Sequence, residues 1–163
     1  MIRAILACDS NKGIGRNGTI PWKHKDDMRF FKMATIGHGN NIVVMGRKTM
    51  VSLPTFPLPD RKNIVISSRK DNTAYDCFMT FETFKKWLKI PKEKDLDDIY
   101  IIGGASIYHQ CFKERIPQEI YITILDDEFE CDTFIDFDII EKNYQVNDVR
   151  KIEDYTFQIW ERK

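Results

Sequence analysis

The sequence predicts an α/β fold: a single domain over residues 1–163, with a central, eight-stranded, mostly parallel mixed sheet flanked by helices and an antiparallel carboxy-terminal edge. Three observations carry this expectation. Short runs rich in Ile and Val recur along the chain, helix-period stretches fall between several of them, and the last two runs are joined by a polar stretch with no room for a crossover helix. The runs are Ile2 to Cys8, Asn41 to Met45, Asn63 to Ser67, Cys77 to Thr80, Asp98 to Ile102, Glu119 to Leu125, Tyr144 to Lys151 and Tyr155 to Glu161. Helices are predicted where apolar residues recur every three or four positions. Asp26 to Thr35 carries Met28, Phe31 and Thr35 on one face, Glu82 to Lys89 carries Phe84, Trp87 and Leu88, and Ala105 to Phe112 follows a glycine pair. Asn147 to Asp154 is polar enough to hold a hairpin turn, which makes the last two strands antiparallel neighbours.

Composition narrows the class. A chain of 163 residues buries a sizeable core without staples, and 42% hydrophobic with 31% charged residues excludes a disordered chain. No apolar run approaches the roughly 20 residues of a spanning helix. The stretch Met1 to Cys8 is too short for a signal peptide and lacks a small-residue cleavage site, so a cytoplasmic protein is expected. With 25 basic and 25 acidic residues there is no global field to draw nucleic acid, and an anionic ligand must be held by local clusters. Cys8, Cys77, Cys111 and Cys131 lie far apart with no C-x-x-C pair and are read as core thiols, so no metal is expected.

Three strand ends are suited to phosphate. Val43 to Thr49 contains Gly46, Arg47, Lys48 and Thr49 at a helix start, resembling the tail of a P-loop. The P-loop itself needs Gly at position 41 and Lys directly after the second Gly, whereas Asn41 and Arg47 stand there, which disfavours NTP hydrolysis. Ile66 to Lys70 follows a buried strand with Ser67, Ser68 and Arg69, able to grip a phosphate monoester or to form an ordinary polar turn. In Tyr100 to Tyr108, the pair Gly103 and Gly104 lets a pyrophosphate approach the backbone at a helix start, without the full G-x-G-x-x-G fingerprint.

Beside these stands the glycine-rich loop Gly13-Ile14-Gly15-Arg16-Asn17-Gly18-Thr19-Ile20-Pro21-Trp22, followed by Asp27, Phe31 and Thr35. Then come Met45-Gly46-Arg47-x-Thr49, Pro57-Leu58-Pro59-x-Arg61, Asn63, Ser67-Ser68, Ile102-Gly103-Gly104 with Tyr108, Tyr121-x-Thr123 and Asp132-Thr133. In this order and spacing, over essentially the whole chain, the sequence resembles the dihydrofolate reductases. It departs from them in the long stretch Gly37 to Asn41, in Ile42 where Pro often stands, in an extra residue within Ser52 to Pro57, and in Leu6, which replaces a smaller residue near the pterin.

The resemblance implies NADPH-dependent reduction of 7,8-dihydrofolate to 5,6,7,8-tetrahydrofolate, by hydride transfer to carbon 6 and protonation of nitrogen 5, in a monomer that supports one-carbon and thymidylate metabolism. Catalytic roles fall to Asp27, Trp22 and Thr123. Asp27 is read as the only ionisable group of an apolar pocket, held by the pterin's amino-pyrimidine edge, with Thr123 in support and Trp22 on a lid that closes over nicotinamide. An acidic residue favoured by the helix dipole is the plain alternative, which adjacent Asp26 fits equally. The substrate walls are Ile5, Leu6, Ala7, Met28, Phe31, Leu53, Ile102 and Tyr108, with Leu58 on the benzoyl ring and Arg61 on the glutamate carboxylate. The cofactor would meet Ala7, Ile14, Gly15, Ile20, Gly46, Arg47, Lys48, Thr49, Ser67, Ser68, Arg69, Ile102, Gly103, Gly104, Ala105, Ser106, Ile107 and Tyr108, and the Gly103 to Gly104 bond is expected to be cis. Two other readings remain open: the related pyrimidine reductase of riboflavin synthesis, and a non-catalytic nucleotide-binding protein of the same fold.

Overall fold

The structure, a computed structural model, describes residues 1–69, 78–92, 94 and 98–163. In chain order the elements are β1 (Ile2–Cys8), β2 (Gly13–Gly15), α1 (Lys25–Ile36), β3 (Ile42–Gly46), α2 (Arg47–Ser52), β4 (Lys62–Ile66), β5 (Phe78–Met79), α3 (Phe81–Leu88), β6 (Ile99–Gly103), α4 (Ala105–Lys113), β7 (Glu119–Leu125), β8 (Thr133–Phe134), α5 (Phe137–Asn143), β9 (Tyr144–Ile152) and β10 (Tyr155–Arg162). The main sheet runs β5-β4-β3-β6-β1-β7-β10-β9. Pairing is parallel from β5 through β7 and antiparallel for the last two strands. The predicted eight-stranded architecture is therefore present.

The central strands alternate between two cores. Ala4, Leu6 and Cys8 of β1, Ile42 and Val44 of β3, and Ile99 and Ile101 of β6 face Phe84, Ile107, Cys111, Phe112 and Ile140 of α3, α4 and α5. Ile5, Val43, Met45, Tyr100 and Ile102 point the other way, against Met50 of α2 and Phe30, Phe31 and Ala34 of α1. This is why the runs read as continuous hydrophobics: a parallel strand covered on both faces has no wet side. Each fully buried Ile of the kind seen at Ile101 contributes about 1.5 to 3 kcal/mol.

Several sequence expectations need correction. The run from Cys77 to Thr80 is a strand over Phe78–Met79, because Thr80 leaves the sheet to cap α3, its hydroxyl accepting from Thr83 N–H. Cys77 and Lys70 lie outside the described residues. Cys8 and Cys111 are buried thiols, pushed up to about 12 by burial, whereas Cys131 is half-buried in a loop rather than in the core. Three elements had no counterpart in the prediction: α5, and the small sheet of β2 with β8.

The long loop after α1 has a structural use. Buried Asn41 accepts from Asp98 N–H at 2.9 Å and donates to the Ala34 carbonyl at 3.3 Å, while its own carbonyl accepts from Lys62 N–H. One residue thus binds the end of α1 to the starts of β4 and β6, through its side chain to α1 and β6 and through its backbone carbonyl to β4. A Cβ on Gly37, where φ is 54°, would stand 2.6 Å from that amide, so the close approach requires glycine.

Candidate active site

The three phosphate-suited turns end neighbouring strands, in the order β4, β3, β6. Gly46 is the N-cap of α2 and Gly104 that of α4, and neither helix has a side-chain cap, so the first-turn N–H groups of α4 are left to a ligand or solvent. A Cβ on Gly103 or on Gly104 would lie 3.4 Å from Thr49 Oγ1, which brings the α2 hydroxyl against the glycine pair. The Gly103–Gly104 peptide is cis, as expected. Around this bare backbone stand the hydroxyls of Thr49, Ser67, Ser68 and Ser106 and the cations Arg47, Lys48 and Arg69; Lys48, Ser68, Arg69 and Ser106 are exposed. This donor set and the uncapped turn fit an elongated polyphosphate. Ile107 and Tyr108 are buried in the core behind the turn, and the Tyr108 hydroxyl is committed to the Ile5 carbonyl at 2.7 Å.

On the other side of β1, α1 presents Asp27 to β7. Asp27 shares one opening with Thr123, which is buried and sits in register with Ala7 of β1. Burial pushes the Asp27 carboxyl above the ordinary Asp range, opposed in part by Thr123 and by His24. A cavity of about 190 Å³ adjoins it, lined by Asp26, Asp27, Phe30, Thr123, Arg150, Ile152, Tyr155 and Phe157. Asp27 is thus not the only ionisable group there, as the sequence suggested, because the β9–β10 hairpin brings Arg150 and Tyr155 to the same opening. Leu6 is also corrected. It belongs to the core on the opposite face from Ile5, as strand alternation demands, so its side chain does not join Ile5, Phe31 and Ile102.

Comparisons with known proteins agree with this geometry. The family model for dihydrofolate reductase matches residues 1–162. The chain belongs to the dihydrofolate reductase family. It is 34% identical over 169 residues to the Bacillus subtilis dihydrofolate reductase, covering 100% of this chain and 95% of that one. With the Schistosoma mansoni enzyme it shares 36% over 154 residues, covering 86% and 82%. The solved dihydrofolate reductase of Enterococcus faecalis, complexed with NADP(H) and RAB-propyl, superposes with a TM-score of 0.81 at 26% identity, covering 100% of this chain and 96% of that one.

In this reductase, the turn expected to meet the substrate tail is braced from within. Asn63 accepts from Leu58 N–H at 2.9 Å and donates to the Leu58 carbonyl at 3.0 Å, while Leu53 and Leu58 pack on the core that contains Ile5 and Phe31. Arg61 donates from Nε to the Pro59 carbonyl at 2.8 Å and from Nη1 to Thr35 Oγ1 at 3.0 Å. Met28, on the same face of α1 as Phe31, is 60% exposed and stands at the rim rather than in a wall. Trp22 is buried against Phe129, with ring centroids 5.3 Å apart, while Ile14 is half-buried and Ile20 is exposed at the far end of the glycine loop.

The residue that anchors the glycine loop escaped sequence reasoning. Asp9 is buried, and its carboxylate accepts from the N–H groups of Gly13 at 2.7 Å, Asn11 at 3.0 Å and Phe129 at 3.0 Å. Burial alone would raise its pKa, but these backbone donors outweigh it and hold the carboxyl below the usual range. Cys131 leans on the same carboxylate, with its thiol raised by burial and by that negative charge. Asp9 directly follows β1, which reads as a turn residue; its partner Phe129 is 120 positions away.

Proposed function

We propose that the residues gathered at the carboxyl ends of β4, β3, β6, β1 and β7 perform the family reaction in this chain, reduction of 7,8-dihydrofolate to 5,6,7,8-tetrahydrofolate with NADPH. The observation that carries the reading is that Asp27 and Thr123 line one cavity at β7, with β1 between it and the glycine cradle of β6. That spacing lets a pterin and a nicotinamide meet over Ala7 and Ile5. NADPH, when bound, supplies the hydride.

The backbone of Gly103 and Gly104 and the first turn of α4 at Ala105 and Ser106 would hold the pyrophosphate, with Thr49 beside it. Arg47, Ser68 and Arg69 suit the adenosine 2′-phosphate, because charge-assisted hydrogen bonds to several oxygens distinguish a phosphate monoester from a hydroxyl. Ala7, Ile14, Gly15 and Ile20 stand on the nicotinamide side. Asp27 holds the pterin's amino-pyrimidine edge and, because burial favours its protonated form, can hold a proton for nitrogen 5. Thr123 orients that carboxyl, Phe31 and Ile102 exclude water, and Arg61 takes the glutamate carboxylate. The Leu58 and Arg61 arrangement favours an aminobenzoyl-glutamate tail over a ribosyl phosphate.

The same reading takes the chain as one domain acting as a monomer in the cytoplasm, without nucleic acid or membrane. No helix among the described residues is long and apolar enough to cross a bilayer. A spectrophotometric assay of NADPH oxidation with dihydrofolate tests the whole reading: turnover that disappears in Asp27→Asn supports it, and no turnover in the parent overturns it.

A further inference from the structure

The residue before α1 is a histidine, although Ser, Thr, Asp and Asn are the usual acceptors at a helix start. His24 nevertheless caps α1, its Nδ1 accepting from the backbone N–H of Asp27 at 3.2 Å. An accepting Nδ1 leaves the proton of a neutral imidazole on Nε2, and Nε2 lies 3.2 Å from Oδ1 of Asp154. Asp154 sits in the two-residue turn between β9 and β10, and its carbonyl accepts from Asp126 N–H just beyond β7. The imidazole also meets Tyr155 edge-on, with centroids 4.9 Å apart. Tyr155 and Arg150 of the same hairpin line the cavity beside Asp27. A hydroxyl cap would satisfy the helix equally well, but it would not span to the hairpin.

We propose that His24 is a positioning residue for the reaction: it ties the turn of α1 that carries Asp27 to the β9–β10 hairpin, so that the hairpin sets where this carboxyl stands against Thr123. The inference rests on Asp27 as the carboxyl that serves the pterin. The charged and titratable groups around the imidazole are Asp27 on its own helix, Asp154 and Tyr155 on the hairpin, Asp26 and Glu153 near the Tyr155 phenol, and Lys151 near Asp154. Protonating the ring would set an Nδ1–H against the N–H of Asp27 and break the cap. It would also place a cation near a carboxyl that burial favours in its neutral form.

Single-turnover hydride transfer across pH, with thermal unfolding, separates positioning from simple capping. His24→Asn keeps an acceptor for the Asp27 N–H but cannot reach Asp154, His24→Ala loses both, and Asp154→Ala loses the tie while keeping the cap. His24→Ala is expected to lower Tm by about 2 to 4 °C and His24→Asn to leave it near parental. Both His24→Asn and Asp154→Ala are expected to move the midpoint of the pH profile upward by roughly half a unit, because a carboxyl no longer held against Thr123 loses the hydroxyl that opposes its raised pKa. The double variant should move it no further, because the two residues act through one contact. Parental midpoints in both single variants, or shifts that simply add, would reduce His24 to a cap and overturn the proposal. Asp27→Asn distinguishes the failures. A parental rate there removes the assignment of Asp27 and the inference with it, whereas a large loss beside unmoved midpoints removes the inference alone.

Discussion

Arg61 Nη1 donates to Thr35 Oγ1 at 3.0 Å, and the same hydroxyl donates to the Phe31 carbonyl at 2.7 Å. A guanidinium in the turn before β4 is thereby held by the last turns of α1 before any ligand arrives. Arg61→Ala is expected to weaken dihydrofolate binding by about 2 to 5 kcal/mol, the usual cost of truncating one partner of a desolvated charge pair. Cofactor affinity should hardly change. Thr35→Val should reproduce part of the loss, about 1 kcal/mol, by releasing the guanidinium. Fluorescence titration with each ligand checks both, and an unchanged dihydrofolate Kd in Arg61→Ala would place this side chain outside the site.

Asp27→Asn is expected to lower turnover at neutral pH by roughly 10² to 10⁴, with NADPH binding retained. In the parent, hydride transfer should decline as pH rises through one apparent pKa above the ordinary Asp value of about 3.9, since burial favours the protonated carboxyl. The stability effect has the opposite sign. A raised folded-state pKa stabilises the fold below the ordinary value and loses that contribution as pH rises through the raised one. Asp27→Asn should therefore raise Tm at neutral pH, with the gain shrinking toward acid. Asp26→Asn, one residue away and exposed, is the control and should stay near parental activity. Equal losses in the two variants would refute the assignment.

NADPH should be preferred to NADH. Arg47→Ala and Arg69→Ala should each reduce that preference by about tenfold or more, the equivalent of one charge-assisted hydrogen bond at about 1.5 to 3 kcal/mol. Steady-state kcat/KM with both cofactors measures it. Intact preference in the double variant would move the 2′-phosphate site elsewhere.

Gly13 and Cys131 should prove energetically coupled. A Cβ at position 13 would lie 2.4 Å from the Cys131 Cβ and 2.6 Å from its Sγ, so Gly13→Ala forces the β2–β8 pair apart. A loss of about 1 to 3 kcal/mol is expected from overpacking. Cys131→Gly in the same chain should recover much of it, a non-additivity that a double-mutant cycle of denaturant unfolding reads directly. Additive losses would mean that the loop accommodates the methyl group by another route.

Much of this architecture was legible in the chain. Two-sided burial writes itself as Ile- and Val-rich runs, and a shift from strand to helix period placed Asp27, Gly46 and Gly104 at the right ends of the right elements. What remained hidden depends on hydrogen bonds from polar side chains to groups far away in the chain. Asp9 accepts from Phe129, Asn41 reaches Asp98, and His24 meets Asp154, each across a separation that no local pattern encodes. The strands β2 and β8 are three and two residues long, too short to show a period. Leu6 was misplaced because a strand's two faces alternate residue by residue, while a resemblance to a family identifies only the strand's neighbourhood.

The central position of β1 has a consequence for how the enzyme is made. Ile2 pairs with Ile99 and Arg3 with Glu119, so β1, made before either neighbour, is completed by two strands that come later. At about 5 to 20 residues per second, β1 waits on the order of ten seconds for its second neighbour. A nascent chain that stops short of β7 also lacks Thr123, which lines the cavity beside Asp27. Synthesis of β7, well after the glycine loop and the helix bearing Asp27, is therefore what completes both the centre of the sheet and the cavity that Asp27 and Thr123 share.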